Sequence, residues 1–393
     1  MMKKVLVVSS DPGVTGALLP VARELIRRKV NVHIIASGPA IKIWQQAQLQ
    51  CDYDEPNDSV TEADAMCVIE VHQPDVVVVG AGAYNRIEHT FRRAASARGI
   101  FCFALLDFWA NYHLRFRREF NGSVTYSLPD LIGVMDEYCY KEMVAEGFDP
   151  KRLVIVGAPH LEESVNFVTS APEVDIELWR DRFELERDIA TSVFFSQTMP
   201  RFQSNDVAEY YGGEKLPPWG FTQRTILREV VQALSSACMK YGVRAQLVLK
   251  PHPMEPVEPL SQVFQTTEVS PLLDCRIIGD CDALRLICLA DVVLSMSSTA
   301  LLEAALAGKP ALSVQIGMDV AKHPDDFYGN HIGITTPIYE AVDLRRALGE
   351  ILCKSQRIVN VPVRPSFDGS TTKVVETILT YCDSNMIRSH TED

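Results

Sequence analysis

The feature that most constrains this chain is an alternation. Short, β-branched apolar runs are separated, again and again, by stretches with helical spacing. Residues 4–9 read KVLVVS and residues 75–79 read DVVVV, runs with no polar face and so suited to strands buried on both sides. Between them Leu18, Leu19, Ala22, Leu25 and Ile26 recur at helical intervals. Parallel neighbours in a sheet need a crossover, usually a helix, so this alternation predicts parallel sheets covered by helices.

The alternation runs twice. In the first stretch strands are expected at 4–9, 31–36, 75–79, 101–106, 131–135 and 153–156, with helices over 16–29, 41–50, 62–71, 87–98 and 137–146. The pattern pauses at Gly157-Ala158-Pro159, and the charged amphipathic segment DIELWRDRFELERD predicts a linker helix. It restarts with strands at 193–196, 246–250, 276–278, 291–295 and 311–314 and helices at 224–240, 282–289 and 299–307. A last helix is expected over 371–382, followed by a polar tail. At ~150 residues per domain, 393 residues suit more than one core. The expected fold class is α/β, two Rossmann-like domains facing a cleft. The boundaries are 1–162, a linker at 163–190, 191–370, and a C-terminal helix and tail at 371–393.

Charge narrows the partners. With 38 basic against 51 acidic residues the net charge is −13, which opposes general attraction to polyanions, so no nucleic-acid partner is expected. No apolar run approaches a membrane span or a signal-peptide core. The ten cysteines contain no CxxC pair and mostly sit in apolar runs, so they read as reduced, buried thiols. A cytoplasmic location is expected, and peripheral membrane association stays open.

Ligands of parallel α/β domains bind at the carboxyl ends of strands. Three such loops stand out. In Ser9–Gly16 (SSDPGVTG), Gly13 allows a close approach to the backbone and Asp11 is available as a general base. The same loop could be a plain strand-to-helix turn capped by Thr15. It has neither GxGxxG nor GKS/GKT spacing, so no dinucleotide cofactor and no P-loop are expected. In the second loop, Lys250-Pro251-His252-Pro253, two prolines restrict one histidine beside an ammonium, a pair suited to a phosphate leaving group. In the third, Ser297, Ser298 and Thr299 open a helix carrying Glu303, and a helix start with several hydroxyls is a phosphate seat. Gln197 opens a further loop, and Asp107 begins the aromatic stretch DFWANYHLRF with Trp109, Asn111 and Arg115. Asp325-Asp326 and the acidic stretch 52–58 read as solvated, and no DxD sits in a metal-binding context, so no metal is expected.

The pairing of KPHP with ADVVLSMSSTALLEAALAGKP resembles nucleotide-sugar glycosyltransferases of the GT-B fold. It is similar in particular to bacterial capsule and sialic-acid transferases and to CDP-glycerol glycerophosphotransferases; UDP-N-acetylglucosamine 2-epimerases share the fold and a related layout. The segments DPGVTGALLPVARELIRR and VIVGAPHLEE extend the resemblance over most of the chain.

The resemblance implies an N-terminal acceptor-side domain and a C-terminal nucleotide-sugar-binding domain. His252 would bind the donor phosphate or assist its departure, with Lys250 as charge partner. Ser297, Ser298 and Thr299 would hold the same phosphate and Glu303 the ribose, with Gly13 and Gln197 also on the donor side. Asp11 and Asp107 are the candidate bases, and Trp109, Asn111 and Arg115 the acceptor contacts. The activity implied is inverting, metal- and cofactor-independent transfer of a sugar from a cytidine or uridine donor to a hydroxyl of a glycan or small molecule, within polysaccharide or glycoconjugate biosynthesis. The alternatives are a sugar-nucleotide epimerase, a glycerophosphotransferase and a non-catalytic nucleotide-binding scaffold. Sequence alone sets no oligomeric state.

Overall fold

The computed structural model describes residues 2–49, 53–54, 60–82, 87–120, 123–198, 210–211, 214–353 and 365–389. Residues 55–58 and 52 of the acidic stretch, and Cys51, lie outside the described residues. The chain divides into two units, Met1–Glu163 with Phe367–Asp393, and Ser164–Ser366.

The first unit holds β1 (Lys4–Ser9), β2 (Asn31–Ala36), β3 (Tyr53–Asp54), β4 (Val76–Gly80), β5 (Phe101–Leu105), β6 (Arg117–Phe120), β7 (Ser123–Tyr126), β8 (Leu131–Val134) and β9 (Leu153–Ile155). Seven of these form one parallel sheet in the order β3-β2-β1-β4-β5-β8-β9. Its helices are α1 (Pro12–Arg27), α2 (Pro39–Ala47), α3 (Glu62–His72), α4 (Ile87–Ala97), α5 (Glu137–Ala145) and the start of α6 (Pro159–Ser170). Valines dominate β4, all five of whose residues are buried, because a central strand covered on both faces offers no place for a polar side chain. Two helices show how local chemistry sets their starts: Thr61 and Asp64 form a reciprocal capping box on α3, and Asp11 caps α1.

The second unit adds α7 (Glu173–Arg182), β10 (Ala190–Phe195), β11 (Tyr210–Tyr211), β12 (Glu214–Lys215), α8 (Gln223–Tyr241), β13 (Ala245–Lys250), α9 (Glu258–Thr266), β14 (Leu273–Ile277), α10 (Ala283–Leu289), β15 (Val292–Ser295), α11 (Thr299–Leu306), β16 (Ala311–Val314), α12 (Tyr328–His331), β17 (Thr336–Ile338) and α13 (Ala341–Leu352). Its parallel sheet runs β14-β13-β10-β15-β16-β17. Phe194, Leu247, Leu249, Val292 and Leu294 of the strands pack with Ile226, Val230 and Leu234 of α8 in one buried core.

Several particulars depart from expectation. Residues 164–182, within the expected linker, group with the second unit as the end of α6 and α7. The C-terminal helix α14 (Ser370–Ser389) packs into the first unit, where Val374, Val375, Ile378 and Cys382 share a core with Val5, Val7, Leu18, Val21 and Leu25. It passes the expected end at residue 382, so much of the polar tail is helical, while 390–393 lie outside the described residues. The antiparallel hairpin β6–β7 interrupts the strand–helix alternation and had no pattern to announce it. Among the described residues no helix is long and apolar enough to cross a membrane.

Candidate functional site

In a doubly wound sheet the crevice for a ligand opens where the strand order reverses, at the carboxyl ends of the two strands flanking that point. The reversal falls between β1 and β4 in the first unit and between β10 and β15 in the second. The loops after these four strands carry Asp11, Gly82, Gln197 and Ser297.

In the second unit Gln197 leaves β10 and reaches across to Ser297. Its Oε1 accepts from the Ser297 backbone N–H at 2.9 Å, and its Nε2 donates to Ser297 Oγ at 3.1 Å. With its lone pair so engaged, the Ser297 hydroxyl still has a proton to donate. Ser298 is the N-cap of α11, its side chain accepting from Ala300 N at 3.3 Å, and Thr299 is the first helical residue. The positive end of the helix dipole therefore meets three hydroxyl side chains. His252 follows β13; its Nδ1 accepts from Met254 N at 3.1 Å. That bond selects the tautomer whose proton sits on Nε2, and burial pushes the imidazole pKa down, with Lys250 acting the same way and Glu255 opposing. His252 is thus a neutral donor rather than a reservoir of protons.

Two expected donor-side roles look different in place. Lys250 is buried, and its ammonium donates to the backbone oxygens of Gly279 at 2.9 Å and Pro251 at 3.3 Å. It ties β13 to the loop after β14 instead of acting as an open phosphate partner. Glu303 accepts from Ser164 Oγ at 2.8 Å, and burial raises its carboxyl to about 7 despite that bond. Asp325, expected to be solvated, is a hub: it accepts from Phe327 N at 2.9 Å, Asn330 Nδ2 at 2.6 Å and the Tyr339 hydroxyl at 2.5 Å.

In the first unit α1 begins at Pro12, earlier than its periodicity suggested, so Asp11 and not Thr15 is the cap; Asp11 Oδ1 accepts from Gly13 N at 2.9 Å. Gly13 lies against Asp107, such that a Cβ there would stand 2.2 Å from Asp107 Oδ2 and 3.4 Å from Asp11 Oδ1. A Cβ on Gly82 would stand 2.7 Å from Asp11 Cβ. A Cβ at either place would have to displace an aspartate side chain, so both positions favour glycine. The two candidate bases, far apart in sequence, thereby converge on one glycine.

The acceptor contacts expected from the aromatic stretch fare otherwise. Trp109 is 4% exposed, packs against Phe108 and Phe367, and donates its indole N–H to Asp136 Oδ1 at 3.0 Å. It is a core residue with no free face for a sugar. The Arg115 side chain is 5% exposed; it donates to Asp107 Oδ1 at 2.5 Å, Ala81 O at 2.6 Å and Ala110 O at 2.8 Å. It holds Asp107 in position rather than awaiting an acceptor. Asn111 is exposed with φ 57°, a left-handed conformation that asparagine tolerates.

Two features escaped the sequence reading. His160, at the start of α6, feels the charge of Asp107; burial lowers its pKa and Asp107 partly restores it. It ends the GAPH run, and a histidine there was the signal available. A cavity of about 340 Å³ lies in the second unit, lined by Gly220, Thr225, Glu229, Gly317, Asp319 and His323 among others. Its walls come from the start of α8 and from loops with no marked motif.

Two helix-covered parallel sheets with reversal-point loops of this kind define a GT-B-like pair of Rossmann-like units. Solved structures bear this out. The UDP-GlcNAc 2-epimerase of Neisseria meningitidis bound to UDP-GlcNAc matches with a TM-score of 0.66 at 13% identity, covering 96% of this chain and 100% of that one. A putative UDP-N-acetylglucosamine 2-epimerase from Listeria monocytogenes gives 0.67 at 13%, covering 98% of each chain. The Methanocaldococcus jannaschii UDP-GlcNAc 2-epimerase gives 0.66 at 15%, covering 97% and 100%. At such identities the likeness is one of fold. No family model matches the chain, and no curated protein matches it.

Proposed function

We propose that this chain is an enzyme acting on a uridine-type nucleotide sugar, and that it is a sugar-nucleotide 2-epimerase rather than the glycosyltransferase that its motifs first suggest. The observation that carries the choice is in the first unit. Asp11 and Asp107 converge on Gly13, while Trp109 and Arg115, which an acceptor would need, are consumed by protein contacts. Inverting a carbon means breaking its C–H bond on one face and forming one on the other, for which two carboxylates are a sufficient set. Transfer would need an acceptor seat instead. The solved structures of similar fold add support, since two of those named above are UDP-GlcNAc 2-epimerases, one of them bound to UDP-GlcNAc.

In this reading the second unit holds the nucleotide. Ser297, Ser298 and Thr299 donate to phosphate oxygens at the start of α11, and neutral His252 adds its Nε2–H. Fixed donors aimed at a departing phosphate stabilise developing charge without reorganisation. Asp107, oriented by Arg115, and Asp11 exchange the proton at C2. One takes it as the C1–O bond to the diphosphate breaks, leaving UDP and a C1=C2 alkene, and a proton returns to the other face of C2 as UDP re-adds at C1.

The test is incubation with UDP-GlcNAc alone in heavy water, read by proton NMR. The expected outcome is a second UDP-sugar, the C2 epimer, with solvent deuterium at C2. An unchanged sugar, with transfer only after an acceptor is added, overturns the epimerase reading in favour of glycosyl transfer.

A further inference from the structure

The β2–β3 edge of the first unit carries a group of side chains that neither the motifs nor the proposed reaction uses. His33 lies on β2, Asp54 on β3, and His72 is the last residue of α3. Ile35 pairs with Asp54 across the strands, and period-two alternation puts His33 on the face that Ile35 and Asp54 share. His72 arrives over that face. His33 Nε2 stands 3.0 Å and His72 Nε2 3.9 Å from Asp54 Oδ2, and the two imidazoles stack with centroids 3.6 Å apart at 22°. One ligand atom from each residue falls within 4.8 Å of the others.

From this convergence we propose that His33, Asp54 and His72 form a binding site for a divalent transition-metal ion of the zinc class. Two imidazole nitrogens and a carboxylate oxygen are a donor set zinc favours, with a fourth position left to water. Ligand atoms around a four-coordinate zinc stand roughly 3.3 Å apart, given bonds of ~2.0–2.2 Å. The observed separations bracket that value, and the stacked rings must splay apart for both nitrogen lone pairs to meet one ion. The three ligands come from three elements. An ion there staples β3, a strand of only two residues, and the end of α3 to the sheet. Its role is to fasten this edge, and it is independent of the nucleotide-sugar reaction.

The experiment is titration of the metal-free protein with zinc chloride by calorimetry, alongside melting curves. About one equivalent binds and the melting temperature rises. In a His33→Gln/His72→Gln variant binding weakens by at least ~100-fold, beyond the ~10- to 100-fold cost of losing an outer hydrogen-bond partner. His113→Gln, on a surface histidine away from the group, retains the wild-type affinity. Absence of zinc binding, or binding unchanged in the double variant, overturns the proposal. Cobalt(II) on the unmodified protein guards against a variant that fails to fold. Intense visible bands of a four-coordinate nitrogen–oxygen site support the assignment, and a weak six-coordinate spectrum or none overturns it.

Discussion

Gln197 and Ser297 stand 100 residues apart in sequence yet share two hydrogen bonds, of 2.9 and 3.1 Å, across the point where the second sheet reverses. The amide of one loop thereby fixes both the backbone and the hydroxyl of the residue that opens the phosphate seat. Gln197→Ala would leave the Ser297 N–H unpaired, at a cost of ~1–3 kcal/mol, and loosen the seat. The expected result is a lower melting temperature together with weaker UDP binding. Gln197→Glu retains the acceptor oxygen and should recover part of the stability. An unchanged melting curve for Gln197→Ala would refute the clamp.

Gly13 presents a contest between two effects. Alanine is better than glycine within a helix by ~0.5–1 kcal/mol. Here, however, its Cβ would stand 2.2 Å from Asp107 Oδ2, and Arg115 holds that carboxylate at 2.5 Å so it cannot swing aside freely. Overpacking of this kind costs ~1–3 kcal/mol, so strain wins. Gly13→Ala should be less stable by chemical denaturation, and epimerisation should fall. A stabilised variant would mean that the Asp107 loop yields easily.

Glu303 gives a pH dependence with a definite sign. Its carboxyl titrates at about 7 in the folded chain against an ordinary 4.5, chiefly because of burial. The folded state therefore binds that proton more tightly than the unfolded one. Its contribution to stability is complete below 4.5 and is lost as the pH rises toward 7. Glu303→Gln keeps an oxygen for the Ser164 hydroxyl but carries no charge. Stability above neutrality should rise by up to ~3 kcal/mol, and the decline across this window should flatten. Urea midpoints on either side of the window decide it, and equal slopes in both proteins would contradict the burial argument.

Arg115 and Asp107 form a shielded pair, their side chains 5% and 14% exposed. Removing one partner of a buried pair costs ~3–5 kcal/mol because the other charge is left uncompensated. Arg115→Ala should show a loss near the lower end of that range, since Asp107 retains some contact with solvent. A double variant with Asp107→Ala should lose less than the two single losses combined. Additive losses would show that the pair is not coupled.

Much of the fold was legible in sequence because central parallel strands must be apolar on both faces. The runs KVLVVS and DVVVV fall on β1 and β4, whereas the strand expected at 193–196 catches only the end of β10, which starts at Ala190 with the polar Thr191 and Ser192. The hairpin β6–β7 was not legible, because RREF carries neither an apolar run nor an alternation and SVTY alternates over only four residues. Candidate site residues were findable for a topological reason. All βα loops of a parallel sheet open at one end, so polar residues just past a strand are candidates wherever they occur. Asp11, Asp107, Gln197, His252 and Ser297 were found in this way.

What the sequence determined alone is therefore the pair of parallel, helix-covered sheets and the loops from which chemistry is drawn, since both follow from local periodicity and strand polarity. The tertiary structure decided which polar groups remain available for it. Arg115 and Trp109 look like ligand contacts in one dimension, yet packing commits them to Asp107 and Asp136. Lys250 is spent on carbonyl oxygens, and Asp325 on its neighbours. His33, Asp54 and His72 carry no motif and are joined only by strand register and the end of a helix. A buried polar group must find a partner, and that partner is chosen by proximity in space, which spacing along the chain does not encode.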